Sequence, residues 1–254
     1  MKTKMLILFL SYGLLAFGQY ASTNRQKSAV LIVGQDAQDF AEGHLNDLAS
    51  ILKKQGIIVW KYYYPNARWD NIKEKAKDCS ILIYTGHGVA NGGFNGGFGG
   101  MYVNDFVTSE DIVHDLKFNN HPLIIYFNAC GSHGTSAGDP KDIGIDEASK
   151  RITDTALPFF KAGAGGYFAT SNNGMELIKD FLNGMPLQTC FKVQSAGNGQ
   201  EVWKYKPILS DNALNRKFIG ISGHSTEYGK GKYYGTAFVG PMQFTFESID
   251  QIAK

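Results

Sequence analysis

Two short strings carry the residue types that acyl-transfer chemistry needs: "LIYTGHG" at 82 to 88 and "LIIYFNACGSHG" at 123 to 134. Each is an apolar run that breaks into small residues around one reactive side chain, His87 in the first and Cys130 in the second. A thiol attacking an acyl carbon needs a thiolate, donors for the oxyanion and a proton donor for the leaving group. Cys130 offers the first, the backbone amides of Gly88 and Cys130 the second, and His87 the third. Gly86 and Gly88 flank the histidine and Gly131 follows the cysteine, so the backbone can turn tightly and a substrate can approach it closely.

The two side chains are 43 residues apart, so the elements between them must fold onto a common frame. "SAVLIVG" at 28 to 34 reads as a buried strand, and "DFAEGHLNDLASILKKQG" spaces Phe40, Leu45, Leu48, Ile51 and Leu52 as a helix stopped by Gly56. The strand "IIVWKYYYP", the helix "ARWDNIKEKAKD" and the strand "SILIYTGHG" follow. After a glycine-rich loop come a short helix from Ser109 to Leu116, the strand "PLIIYFNAC", a helix from about Glu147 to Phe160 and the strand "GGYFATS". Apolar strands alternating with helices predict a parallel sheet covered on both faces, in a single α/β domain over residues 19–254. Ligands bind such sheets outside the carboxyl ends of the strands, where both His87 and Cys130 fall. One helix intervenes, so a right-handed crossover makes their strands near neighbours.

Beyond residue 175 the pattern is less regular. "MELIKDFLNG" predicts a helix, "KFIGISG" a strand, and "YYGTAFVGP" with "MQFTFESI" a strand or hairpin pair. "NGGFNGGFGG" lacks a Lys-Ser/Thr ending and does not open a helix, so it reads as a mobile surface loop beside the site, not a phosphate cradle. "IVGQDAQD" lacks the glycine spacing of dinucleotide binding.

The first residues, "MKTKMLILFLSYGLLAFGQYAS", read as a secretory signal peptide over 1–18: a lysine-bearing start, an apolar run too short to span a bilayer comfortably, and small residues before Gln19. The expectation is an exported protein, secreted or periplasmic. The formal charge of +2 becomes 0 without Lys2 and Lys4, which gives no reason to expect a nucleic acid or a polybasic membrane contact. Three cysteines are too few for a disulfide framework. Cys79 and Cys190 lack glycine turns and read as structural, with a pairing between them left open. His224, in "IGISGHSTEYG", is the rival partner for the thiol, and His133 a secondary donor; His44, His114 and His121 receive no role. The scattered histidines and carboxylates do not make a zinc site, and no cofactor is expected; a calcium held by Asp139, Asp142 and Asp146 has no motif behind it.

A hydrophobic block ending in His-Gly, followed by a second ending in Ala-Cys, resembles the caspase-like cysteine peptidases, closest in motif to the clostripain, legumain and gingipain families. "ILIYTGHG", "LIIYFNACGSHG", the intervening "GGMYVNDFVTSEDIVHDL" and the following "AGAGGYFATSNNGMELIKDFLNG" carry the resemblance over about 28 to 185. It implies a three-layer sandwich with a mostly parallel sheet, Cys130 as nucleophile, His87 as its partner and the Gly88 amide in the oxyanion site. It also implies hydrolysis of peptide bonds in a peptide or protein substrate. Clostripain-like enzymes that cut after Arg or Lys tend to carry Asp two residues before the cysteine. Here that residue is Asn128, an amide that cannot pair with a basic side chain as a carboxylate does. Ser171, Asn172 and Asn173 are further pocket candidates suited to a small or polar residue. The alternative is an inactive caspase-like protein that binds peptide in the same cleft. "ASTNRQKS" and "GDPKDIGIDEASKRITD" read as loop-like segments where a zymogen could be cut.

Overall fold

The computed structural model describes residues 25–139, 142–172, 174–226 and 231–249. The leader expected at 1–18 lies outside the described residues, as does Asn173. The elements run in the order β1 (Ser28–Val33), α1 (Gln38–Lys54), β2 (Ile58–Tyr63), α2 (Trp69–Ala76), β3 (Ile81–Thr85), β4 (Met101–Tyr102), β5 (Phe106–Val107), α3 (Ser109–Asp115) and β6 (Leu123–Phe127). They continue with α4 (Ile145–Lys161), β7 (Gly166–Thr170), α5 (Met175–Leu182), α6 (Leu187–Gly197), β8 (Glu201–Pro207), β9 (Phe218–Ser225) and β10 (Lys232–Gly240).

Eight strands form one sheet in the order β2-β1-β3-β6-β7-β10-β9-β8. The first five are parallel; β10, β9 and β8 extend the sheet as antiparallel neighbours. Strands β3, β6 and β7 are buried at every residue, which is why they read as unbroken apolar runs: both their faces are covered. One face packs Val30, Leu82, Tyr126 and Ile221 against α2, α3 and α4. The other packs Leu31, Ile83, Phe127 and Phe238 against α1, α5 and α6. The result is an α/β sandwich of three layers. No helix among the described residues is long and apolar enough to cross a membrane.

Helix ends follow local chemistry. Thr108 caps α3 reciprocally with Asp111, and Lys53 and Lys54 sit at the negative end of the α1 dipole. The last third of the chain departs from expectation. Helix α6 and strand β8 carry no strong periodic signal, because α6 buries Gln194 and Ser195 and β8 is an edge strand with exposed Glu201, Val202 and Lys206. Ser195 bonds Ser222 at 2.6 Å, and Ser222 reaches Gln200 at 3.1 Å, so a hydrogen-bonded polar seam joins α6 to β9. "MQFTFESI" is turns, not a strand: Phe244 plugs the α5 face 5.8 Å from Phe181.

Candidate functional site

Strands β3 and β6 are direct neighbours, with Thr85 paired to Phe127 in parallel register. His87 and Cys130 leave the same sheet edge from strands about 4.8 Å apart. His87 is exposed and Cys130 half-buried. The loops that carry them touch: a Cβ on Gly88 would fall inside the backbone carbonyl of Cys130. Gly88 is therefore required by close approach of two chain segments, not by a tight turn. Among the described residues, neither the Gly88 nor the Cys130 amide donates a hydrogen bond. Two unengaged N–H groups thus lie at the point where the two loops meet.

The Cys130 loop is shaped by its own backbone. Asn128 adopts a left-handed conformation (φ 54°) while its amide donates to Thr170 O at 2.9 Å. Asparagine tolerates that region better than most side chains, and the kink sends Ala129 inward and Cys130 toward solvent. Gly131 has φ 76°, and a side chain there would enter the ring of Phe98. Gly131 is consequently covered by Phe98 and not open to a substrate. The glycine-rich stretch that supplies Phe98 is folded compactly, with Gly92, Gly93, Gly99 and Gly100 buried, instead of forming an open surface loop. Arg151 of α4 stacks on Phe98 at 4.6 Å, binds both Asp139 carboxylate oxygens at 2.7 Å and bonds Glu147 at 2.9 Å.

That ion pair decides two other expectations. Asp139 serves Arg151, and among the described residues no three histidines, cysteines or carboxylates gather to hold a metal ion, so the Asp139, Asp142 and Asp146 cradle does not form. The segment read as loop-like after the nucleophile is helical from Ile145, which places Arg151 in α4 with its side chain largely buried. A protease has little access to it there.

The remaining candidates separate by position. Ser171 donates from both its amide and its hydroxyl to Gly235 O, at 2.9 and 3.3 Å, so it ties β7 to β10. Asn172 and Asn128 are exposed at the sheet edge. His224 leaves β9, three strands from β6 and so roughly 14 Å across the sheet. Its ring lies 5.1 Å from that of Tyr233. His133 is buried, and its Nδ1 donates to Tyr234 O at 2.7 Å; burial pushes its pKa down to about 4, so it is neutral and structural, not a donor beside Cys130. Cys79 lies in the core of one sheet face and Cys190 in that of the other, which rules out a bridge between them. Burial holds both thiols protonated, pushing Cys190 up to about 12 and Cys79 higher still.

A cleft of about 260 Å³ adjoins the Cys130 loop, lined by Thr135, Asp139, Thr226, Lys232 and Tyr233 among others. A second, of about 450 Å³, lies between α5 and α6. The residues that sequence reading missed are Phe98, Arg151 and the tyrosines beneath the loops. Their signal was faint: one aromatic inside a glycine run, one arginine on a helix, and single tyrosines within three apolar strands. No family model matches the chain, and no curated protein matches it in sequence.

Proposed function

We propose that this protein is an exported cysteine endopeptidase that hydrolyses peptide bonds through Cys130 and His87. The contact between Gly88 and the Cys130 backbone, with both amides unengaged, carries the reading. It joins a thiol, an imidazole and two N–H donors at one edge of an α/β sheet. The resemblance of the two blocks to caspase-like peptidases supports the same assignment.

In this reaction His87 takes the Cys130 proton and the thiolate attacks the scissile carbonyl carbon. The carbonyl oxygen becomes an oxyanion, which accepts hydrogen bonds from the Gly88 and Cys130 amides. His87 returns the proton to the leaving amine as the C–N bond breaks. Water, deprotonated by His87, then attacks the thioester and releases the acid and the free thiol. Preorganised amides matter most here, because a lost oxyanion donor costs roughly 10²- to 10³-fold in kcat.

The test is a peptide-library cleavage profile combined with labelling by a peptidyl acyloxymethyl ketone. Cleavage at defined sites, Cys130 labelled well ahead of Cys79 and Cys190, and loss of both in Cys130→Ala are expected. Hydrolysis that survives Cys130→Ala sinks the assignment, and peptide binding without turnover identifies a non-catalytic peptide-binding protein instead.

A further inference from the structure

Three tyrosines cluster under the site, one on each of three adjacent strands, with Tyr84 and Tyr126 level and Tyr167 two residues lower, opposite Ile124. Tyr84 on β3 pairs in register with Tyr126 on β6, and their rings lie 5.0 Å apart. Tyr167 on β7 lies 5.8 Å from Tyr126. All three are at most 1 % exposed. They share the face packed by α2, α3 and α4, so their rings belong to the core. Burial pushes each hydroxyl's pKa up, which keeps it a proton donor.

A buried hydroxyl must find a partner, and each of these finds a different loop. Tyr84 donates to His87 O at 2.8 Å and accepts from the Tyr102 amide at 3.0 Å. Tyr126 donates to Gly100 O at 3.0 Å, at the end of the glycine-rich stretch. Tyr167 donates to Ser132 O at 3.0 Å, two residues beyond Cys130. A Cβ on Gly86 would lie 2.5 Å from the Tyr84 hydroxyl, so the residue before His87 is small because the hydroxyl passes there.

We propose that Tyr84, Tyr126 and Tyr167 are positioning residues: their hydroxyls hold the His87, glycine-rich and Cys130 loops in register with one another. The inference rests on the reading of Cys130 and His87 as a dyad. A rigid sheet can align strand ends but does not fix the loops beyond them. Three hydroxyls anchored in one packed aromatic cluster extend the sheet's rigidity to the backbone of each loop, where small displacements of a reacting group are costly.

Tyr84→Phe and Tyr167→Phe remove one oxygen each and keep the rings. Steady-state cleavage of a peptide substrate by each is expected to show kcat lowered by about ten- to a hundredfold with KM within about twofold. In a His87→Ala background, Tyr84→Phe is expected to lose less than in the wild type, because the imidazole is gone while the hydroxyl still holds the 87–88 peptide that carries the Gly88 amide. Tyr205→Phe, whose hydroxyl bonds Gln188 far from the loops, is the control for lost stability and should keep wild-type kcat. If Tyr84→Phe does not fold, Gly86→Ala displaces the same hydroxyl and is read the same way.

A wild-type kcat in Tyr84→Phe and Tyr167→Phe overturns the proposal, as does a Tyr84→Phe loss that persists in full without His87. A wild-type protein that cleaves no peptide removes the dyad and the proposal together; an active wild type with unaffected tyrosine variants removes the proposal alone.

Discussion

A methyl group on Gly88 has no room, because its nearest neighbours are backbone atoms of Cys130 that cannot swing aside. Gly88→Ala must therefore part the two loops. The expected outcome is a loss of stability of about 1–3 kcal/mol in chemical denaturation. Hydrolysis is expected to fall further than that loss explains, by about 10²-fold, as one oxyanion donor moves. Asn128 makes a different kind of residue-scale case. Its left-handed backbone explains an asparagine there without reference to any substrate. Asn128→Val should cost about 1–3 kcal/mol in the same measurement, whereas Asn128→Gly and Asn128→Asp should be close to neutral. Asn128→Asp then becomes a clean probe of the pocket: a gain in cleavage after Arg or Lys assigns the position to specificity, and an unchanged profile assigns it to the backbone alone.

At the scale of elements, α4 acts as a tie between the loop after the nucleophile and the glycine-rich stretch. Arg151 and Asp139 keep only 11 % and 10 % of their side chains exposed, so breaking this pair leaves a buried charge, and Phe98 loses the cation stacked on it. Arg151→Ala is expected to destabilise the protein by about 3–5 kcal/mol. Arg151→Met with Asp139→Asn should cost less than Arg151→Ala alone, since the buried carboxylate is removed with the guanidinium and the carboxylate left unpaired, Glu147, is partly exposed to water. Denaturation of wild type, Arg151→Met, Asp139→Asn and the double variant checks the coupling, and additive losses would show that the two side chains do not act as a unit. None of this was legible beforehand. Arg151 is an ordinary helical arginine in sequence, and Phe98 an ordinary loop aromatic, until the chain brings residues 53 positions apart into contact.

The whole molecule should lose stability in mild acid, and the sign follows from His133. Its pKa is about 4 when folded, against 6.5 when free, because burial disfavours the imidazolium. Below pH 6.5 the unfolded chain takes up a proton that the folded one refuses, so stability falls as pH drops from about 6.5 to about 4 and levels off beneath that. The contribution is on the order of 3 kcal/mol. His44 is shifted in the same direction by burial. Unfolding free energies of wild type and His133→Gln across pH 4 to 7 should converge toward acid, because the variant lacks this loss. Parallel curves would show that the folded protein accommodates a charged His133.

Much of the architecture was written locally. Continuous apolar runs in β1, β3, β6 and β7 require burial on both faces, and the helices between them require a parallel sheet, so the α/β class and the emergence of His87 and Cys130 at strand ends follow from residue pattern alone. The crossover rule makes β3 and β6 near neighbours, but most of the strand order does not follow from residue pattern. That no strand inserts between β3 and β6, that β10, β9 and β8 extend the sheet as successive antiparallel neighbours, and that Cys79 and Cys190 face opposite cores are contacts between distant segments. The roles of the glycines changed for the same reason. In sequence they are turn residues open to a substrate; in the fold Gly88 is pressed against Cys130, Gly131 lies under Phe98 and Gly86 makes way for a tyrosine hydroxyl. Local periodicity reports which face of an element is buried, whereas what lies against that face is decided by long-range packing, and the candidate site is made almost entirely of such contacts.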